Sequence, residues 1–129
     1  MFHMLTTSES YGEEQIARDE DIPCLLRVSS SLDLHDHPFV TTSTIVLQTK
    51  ASCLPPYLLL LGTNPNQQFD VIDATAAPGN KTTFLGDLLR ERGTVFAFDR
   101  SESRYRTLVQ RCESFGSGNV IVMTDCPLD

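Results

Sequence analysis

FDVIDATAAPGNKTT, residues Phe69 to Thr83, is the stretch from which the rest of the chain is read. Phe69, Val71 and Ile72 stand around acidic residues and read as a short buried strand. Ala76-Ala77-Pro78-Gly79-Asn80-Lys81-Thr82 then reads as a tight turn of small residues feeding a helix. Small residues let a ligand approach the backbone, and the amides that open a helix have no intrahelical acceptor. Strand, glycine-containing turn and helix together form the ligand-binding corner of an open α/β sheet.

Two other readings apply to the same residues. An ordinary strand-to-helix connection needs no ligand. A phosphate-binding P-loop needs a first glycine, four residues, then Gly-Lys-Ser/Thr. Here Asn80 separates Gly79 from Lys81, and Thr75, Ala76 and Ala77 stand where a glycine is required. The phosphate cradle is poorly made, and a single glycine also fails the dinucleotide fingerprint.

Downstream, Thr82 to Arg92 has helical spacing, with Phe84, Leu85, Leu88 and Leu89 on one face. Gly93 follows as a helix-terminating C′ residue. Thr94 to Phe98 is a second strand closed by Asp99. Ser101 to Phe115 is a second helix, with Tyr105, Leu108, Val109 and Cys112 in register. Asn119 to Met123 is a third strand ending at Thr124-Asp125. Strand, helix, strand, helix, strand implies right-handed crossovers and a parallel sheet.

Upstream the signals are weaker. Residues 1–20 are polar and acidic without a sustained apolar period, so a frayed end or weak helix is expected. Asp21 to Val28 has short-strand character interrupted by Pro23-Cys24. His35 and His37 flank Asp36, and on a strand the two imidazoles would share a face. Nothing nearby supplies further ligands, so no metal is expected. Phe39 to Gln48 is rich in β-branched residues and reads as a strand. Lys50 to Leu61 reads as a helix that Pro55-Pro56 kinks or starts, and Gly62 to Gln68 as a loop.

Bulk properties narrow the class. The 129 residues suffice for one small domain, and 40% hydrophobic with 21% charged content suits a globular chain. The longest apolar run, Pro55 to Leu61, is far short of the roughly 20 residues of a membrane helix. The start, MFHMLTTSES, lacks a basic region followed by an apolar core, so secretion is not expected and the cytoplasm or nucleus is. A net charge of −7 argues against strong RNA binding by this chain alone. Cys24, Cys53, Cys112 and Cys126 form no CxxC pair and read as mostly buried thiols rather than zinc ligands.

Three features fall at the carboxyl ends of the expected strands: the Thr75–Lys81 turn, Asp99 and Asp125. Asp99 stands where a side chain accepts from ribose hydroxyls, and Asp125 where one accepts from an exocyclic amine of adenine. Turns favour Asp in any case, yet all three in phase with one sheet favour a nucleoside ligand.

DATAAPGNKTT resembles the cofactor motif of the RsmB/NOP-type RNA cytosine-C5 methyltransferases, most of all the Nop/Sun branch acting on ribosomal RNA. LDLHDHP and IVLQTKASCLPPYLL resemble the family's segment before that motif, with Gln48, Ala51, Ser52, Cys53 and Leu54 in familiar places. VFAFD followed by Arg104 resembles its second cofactor motif. The resemblance runs from about Ile22 to Asp125 and implies an α/β fold. That fold is part of a Rossmann-like, S-adenosyl-L-methionine-dependent methyltransferase sheet, its first three parallel strands with helices, plus an upstream strand and helix segment. Residues 1–20 would be frayed, 21–68 the segment before the motif, and 69–129 the cofactor-binding half.

The resemblance also implies roles. Thr75, Ala76, Ala77, Pro78, Gly79, Asn80 and Lys81 would wrap the methionine part of S-adenosyl-L-methionine. Asp99 would hold the ribose and Asp125 the adenine end, with Arg104 fixing the loop after Asp99. Ribosomal RNA would be the partner of the full-length protein, and the nucleus or nucleolus its place. The family attacks cytosine C6 with a cysteine in a Thr-Cys motif and uses a second, in a Pro-Cys motif, for release. Cys126 precedes Pro127, Pro23-Cys24 lies upstream, and no Thr-Cys pair occurs. The nucleophile is therefore expected beyond Asp129, no catalytic residue is assigned, and the chain reads as an inactive fragment. The alternatives are a non-catalytic module holding the cofactor or a partner, and a degenerate P-loop nucleotide binder.

Overall fold

The computed structural model describes the backbone of Phe2–Thr7 and residues 16–124. The chain divides into two compact units, residues 1–54 and 55–129.

The first unit carries a four-stranded sheet in the order β2-β3-β1-β4. Its strands are β1 (Phe2–Thr7), β2 (Ile16–Arg18), β3 (Leu25–Ser29) and β4 (Ile45–Gln48). β1 pairs in parallel with both β3 and β4, and β2 runs antiparallel to β3. Within the end expected to be frayed or weakly helical, Phe2–Thr7 and Ile16–Arg18 are strands instead, because their backbone groups pair with other strands. Pro23 and Cys24 are left in the turn before β3, as Pro lacks the amide a ladder needs. Ile22, Leu25, Val28, Val46 and Cys53 are buried.

The expected strand over 39–48 is half right. Only Ile45–Gln48 is extended, and Pro38–Thr41 forms a one-turn helix, α1. Pro38 sits in its first turn, where its missing amide costs nothing, and the His37 ring accepts from the Phe39 amide at 3.2 Å. The Thr41 and Thr42 hydroxyls donate to Pro38 O at 3.1 and 2.7 Å, so β-branched residues here serve local turns. His35 pairs with Asp33 at 3.0 Å, on a loop rather than a strand.

Asp19 organises the start of this unit. Its fully buried carboxylate accepts from the Asp21 and Ile22 amides at 3.0 and 2.8 Å and from Lys50 Nζ at 3.0 Å. Burial pushes this carboxyl up, but the hydrogen bonds from Lys50, Ile22 and Asp21 outweigh it and hold the pKa below its ordinary value.

Helix α2 (Lys50–Leu60) contains Pro55 and Pro56 in its interior, not in its first turn. The division between the units falls between Leu54 and Pro55.

The second unit holds β5 (Val71–Asp73), β6 (Val95–Phe98) and β7 (Val120–Met123) in a parallel sheet of order β5-β6-β7. Helices α3 (Asn80–Leu89) and α4 (Glu102–Ser114) form the two crossovers. Alternation sorts the strands. Val71 and Val95 join Leu60, Leu85 and Leu89 in one apolar cluster, and Ala97, Val120 and Val122 join Ala76, Ala77, Leu108 and Cys112 in another. Burying Leu89 or Leu108 contributes about 1.5–3 kcal/mol each. Ile72, Ile121 and Met123, one position out of phase, are exposed.

Gly93 does not directly follow α3 as the C′ residue expected. A 3₁₀ turn, Arg90–Arg92, follows α3, and Gly93 is extended. Glycine is needed there for space, because a Cβ would lie 1.9 Å from Phe69 O. Asn119 instead closes α3, its Nδ2 donating to Gly86 O and Arg90 O at 2.9 Å each. Among the described residues no helix is long and apolar enough to cross a membrane.

Candidate cofactor corner

The turn between β5 and α3 stands at the carboxyl ends of the parallel strands, where open α/β sheets take ligands. Ala74, Thr75, Pro78 and Lys81 are exposed, while Ala76, Ala77 and Gly79 are buried. Side chains from three elements hold this loop.

At the strand end, Asp73 Oδ1 accepts from the Thr75 amide at 3.3 Å and Oδ2 from Thr82 Oγ1 at 2.8 Å. Thr82 Oγ1 also lies 3.2 Å from Ala76 O. From β6, Phe98 O accepts from the Ala76 amide at 2.8 Å, and Asp99 Oδ2 from the Ala77 amide at 3.2 Å. From α4, Arg104 donates to Ala77 O at 2.6 Å and lies 3.3 Å from Asp99 Oδ2. Arg111 donates to Asn80 Oδ1.

Gly79 has φ +109°, a conformation that side chains rarely adopt. A Cβ there would also meet Leu108 Cδ1 at 3.1 Å and Arg111 Cδ at 3.3 Å. The crowding comes from α4 and acts at the start of the helix.

The Asp99 side chain is only 4% exposed, and Arg104 lies beside it. Its other oxygen accepts from the Ser101 amide at 3.1 Å. A carboxylate accepts about four hydrogen bonds, so these contacts leave capacity for another. α3 has no acidic residue in its first turn and carries exposed Lys81 there, so its positive end is left uncompensated by any carboxylate of that turn. Such an end suits an anionic group such as an amino-acid carboxylate.

Of the residues singled out from the sequence, Thr75 to Lys81, Asp99 and Arg104 come together here. Asp125 and Cys126 lie outside the described residues. Asp73, Thr82 and Arg111 were missed. An acidic residue ending a strand, and a Thr at the third helical position, were the available signals for two of them. Cys53 and Cys112 are buried and Cys24 is exposed. Burial pushes the Cys112 thiol up to about 11.

A model of the family described as 16S rRNA methyltransferase RsmB/F matches residues 58–126, more than half of the chain. The chain belongs to the RsmB/F methyltransferase family. Its similarity to a 28S rRNA (cytosine-C(5))-methyltransferase of Mus musculus is 45% identity over 96 residues, 72% of this chain and 20% of that protein. It is also 35% identical over 107 residues to the 25S rRNA (cytosine-C(5))-methyltransferase NSUN5 of Arabidopsis thaliana, covering 83% of this chain and 18% of that one. The crystal structure of PH0851 superposes with TM-score 0.67 at 26% identity, over 85% of this chain and 24% of that one. NSun6 from Pyrococcus horikoshii, solved with SFG, shares the fold with TM-score 0.60 at 24% identity, over 78% of this chain and 24% of that one. The chain thus spans about a fifth of the length of these RsmB/F-type curated relatives. Its second unit is a Rossmann-like, three-stranded parallel portion of the methyltransferase fold.

Proposed function

We propose that residues 69–129 are the S-adenosyl-L-methionine-binding part of a ribosomal RNA cytosine-C5 methyltransferase. The carrying observation is the loop from Thr75 to Lys81, held at the strand ends by Asp99, Arg104 and Asp73. The cofactor supplies an electrophilic methyl group on its sulfonium. Thr75, Ala76, Ala77, Pro78, Gly79, Asn80 and Lys81 wrap its methionine part, whose carboxylate suits the positive end of α3.

Asp99 would accept from the ribose, using the capacity its present contacts leave. Arg104 fixes the loop through Ala77 O. Asp125 takes the adenine end. Ribosomal RNA is the substrate of the whole protein, and the nucleus or nucleolus its place. This chain by itself transfers no methyl group, because no thiol stands in a Thr-Cys context.

The test is calorimetric titration of the chain with S-adenosyl-L-methionine and, separately, with ATP. Saturable binding of the first alone supports the reading. Binding of ATP alone would replace it with a nucleotide-binding loop.

A further inference from the structure

Thr82 and Asp73 lie outside the residues that would touch the cofactor, yet they close the loop that would hold it. Thr82 is fully buried on α3, and its hydroxyl has one proton and two acceptors in reach. One acceptor is Asp73 Oδ2 at 2.8 Å, and the other is Ala76 O at 3.2 Å. The second oxygen of Asp73 accepts from the Thr75 amide at 3.3 Å. One carboxylate at the end of β5 is thus tied to the first residue of the loop and to the helix residue just after it.

We propose that Asp73 and Thr82 are positioning residues that latch the two ends of the Thr75–Lys81 loop, so that it is set for its ligand in advance. The inference rests on the cofactor reading for its functional consequence, but the latch itself is made of contacts within the chain. A preset loop loses less conformational freedom when a ligand binds, and the saving appears as affinity. The charged acceptor strengthens the Thr82 bond, and its burial shields it from competing water. A methyl group in place of that hydroxyl keeps the shape and leaves Asp73 Oδ2 and Ala76 O without their shared donor.

The experiment compares Thr82→Val, Thr82→Ser and Asp73→Asn in the full chain by two measurements. The first is amide hydrogen exchange without ligand. The latch requires the Thr75, Ala76 and Ala77 amides to exchange at least about tenfold faster in Thr82→Val, with Val95–Phe98 unchanged and Thr82→Ser close to the parent. Unchanged exchange at 75–77 in Thr82→Val overturns it. If Thr82→Val speeds exchange throughout the second unit, Asp73→Asn decides. Local acceleration at Thr75 supports the latch, and none refutes it.

The second measurement is S-adenosyl-L-methionine affinity by calorimetry. The expected result is about tenfold weaker binding in Thr82→Val, restored in Thr82→Ser. A parent chain that binds no cofactor ends the functional reading while the exchange result still decides the latch. Local loosening with undiminished affinity in Thr82→Val refutes the positioning role.

Discussion

Arg104 and Ala77 are joined across 27 residues of sequence, the guanidinium of one donating to the carbonyl of the other at 2.6 Å. The same guanidinium lies 3.3 Å from Asp99, whose carboxylate accepts from the amide of that same Ala77. Both polar groups of one loop residue are therefore held by an ion pair on the next strand and helix. Replacing Arg104 with Ala should cost about 1–3 kcal/mol, the range for a lost hydrogen bond to a charged group. Urea unfolding measures it, and Arg104→Lys should recover part of it, because one terminal nitrogen makes both contacts and an ammonium on a differently shaped side chain can restore them only if it reaches the same point. Equal stability of all three chains would show that the pair is ornamental.

Gly79 should tolerate no side chain. Its φ of +109° alone costs a substituted residue about 1–2 kcal/mol, and contact with Leu108 and Arg111 adds to that. Gly79→Val should therefore lower stability and abolish cofactor binding together, because the obstruction lies between the loop and α4. Thermal unfolding and calorimetry on the same sample check this. Full stability with lost binding would instead place the obstruction at the ligand.

Substitution of Gly93 should be damaging for a different reason. Its backbone is extended, but a Cβ would lie 1.9 Å from Phe69 O, so the β5 approach must shift. Gly93→Ala should destabilise by about 1–3 kcal/mol, as overpacking does. An unchanged denaturation midpoint would contradict the close approach.

Much of this is legible in the amino-acid sequence itself. The segment from β5 to β7 carries its own punctuation, with apolar pairs in helical phase, Gly79 where a helix opens and Asp99 where a strand ends. The first unit does not. Phe2–Thr7 forms a strand only because β3 and β4 flank it in space, which no local pattern encodes. Phe39 to Thr44 looks like strand by β-propensity, yet Pro38 and hydroxyl-to-carbonyl bonds favour a turn of helix. In the candidate corner the loop was legible from its small residues. Asp73 and Thr82 were not, because their role depends on one hydroxyl meeting one carboxylate across the loop.

The pH response should differ at the two extremes. Asp19 has a lowered pKa, so it stabilises the folded chain above its unfolded value near 3.8 and loses that contribution as pH falls. Lys50→Met should raise the pH at which acid unfolding begins and cost about 1–3 kcal/mol at neutrality, since it removes a donor from a buried carboxylate. Cys112 has a raised pKa, so its contribution holds below its ordinary value of 9.0 and is lost as pH rises towards about 11. At pH 8 Cys112 stays in its thiol form, so alkylation should take exposed Cys24 before it. Mass spectrometry of partly alkylated chain reads the order, and early modification of Cys112 would contradict its burial.

The central claim, that the loop after β5 holds S-adenosyl-L-methionine, is tested most directly by titrating the cofactor into the parent chain and Asp99→Ala. Circular dichroism first establishes that both are folded. The account predicts saturable binding to the parent, weakened by about 1–3 kcal/mol in the variant. A folded parent chain that binds no cofactor, or a folded Asp99→Ala that binds it equally well, would contradict the account.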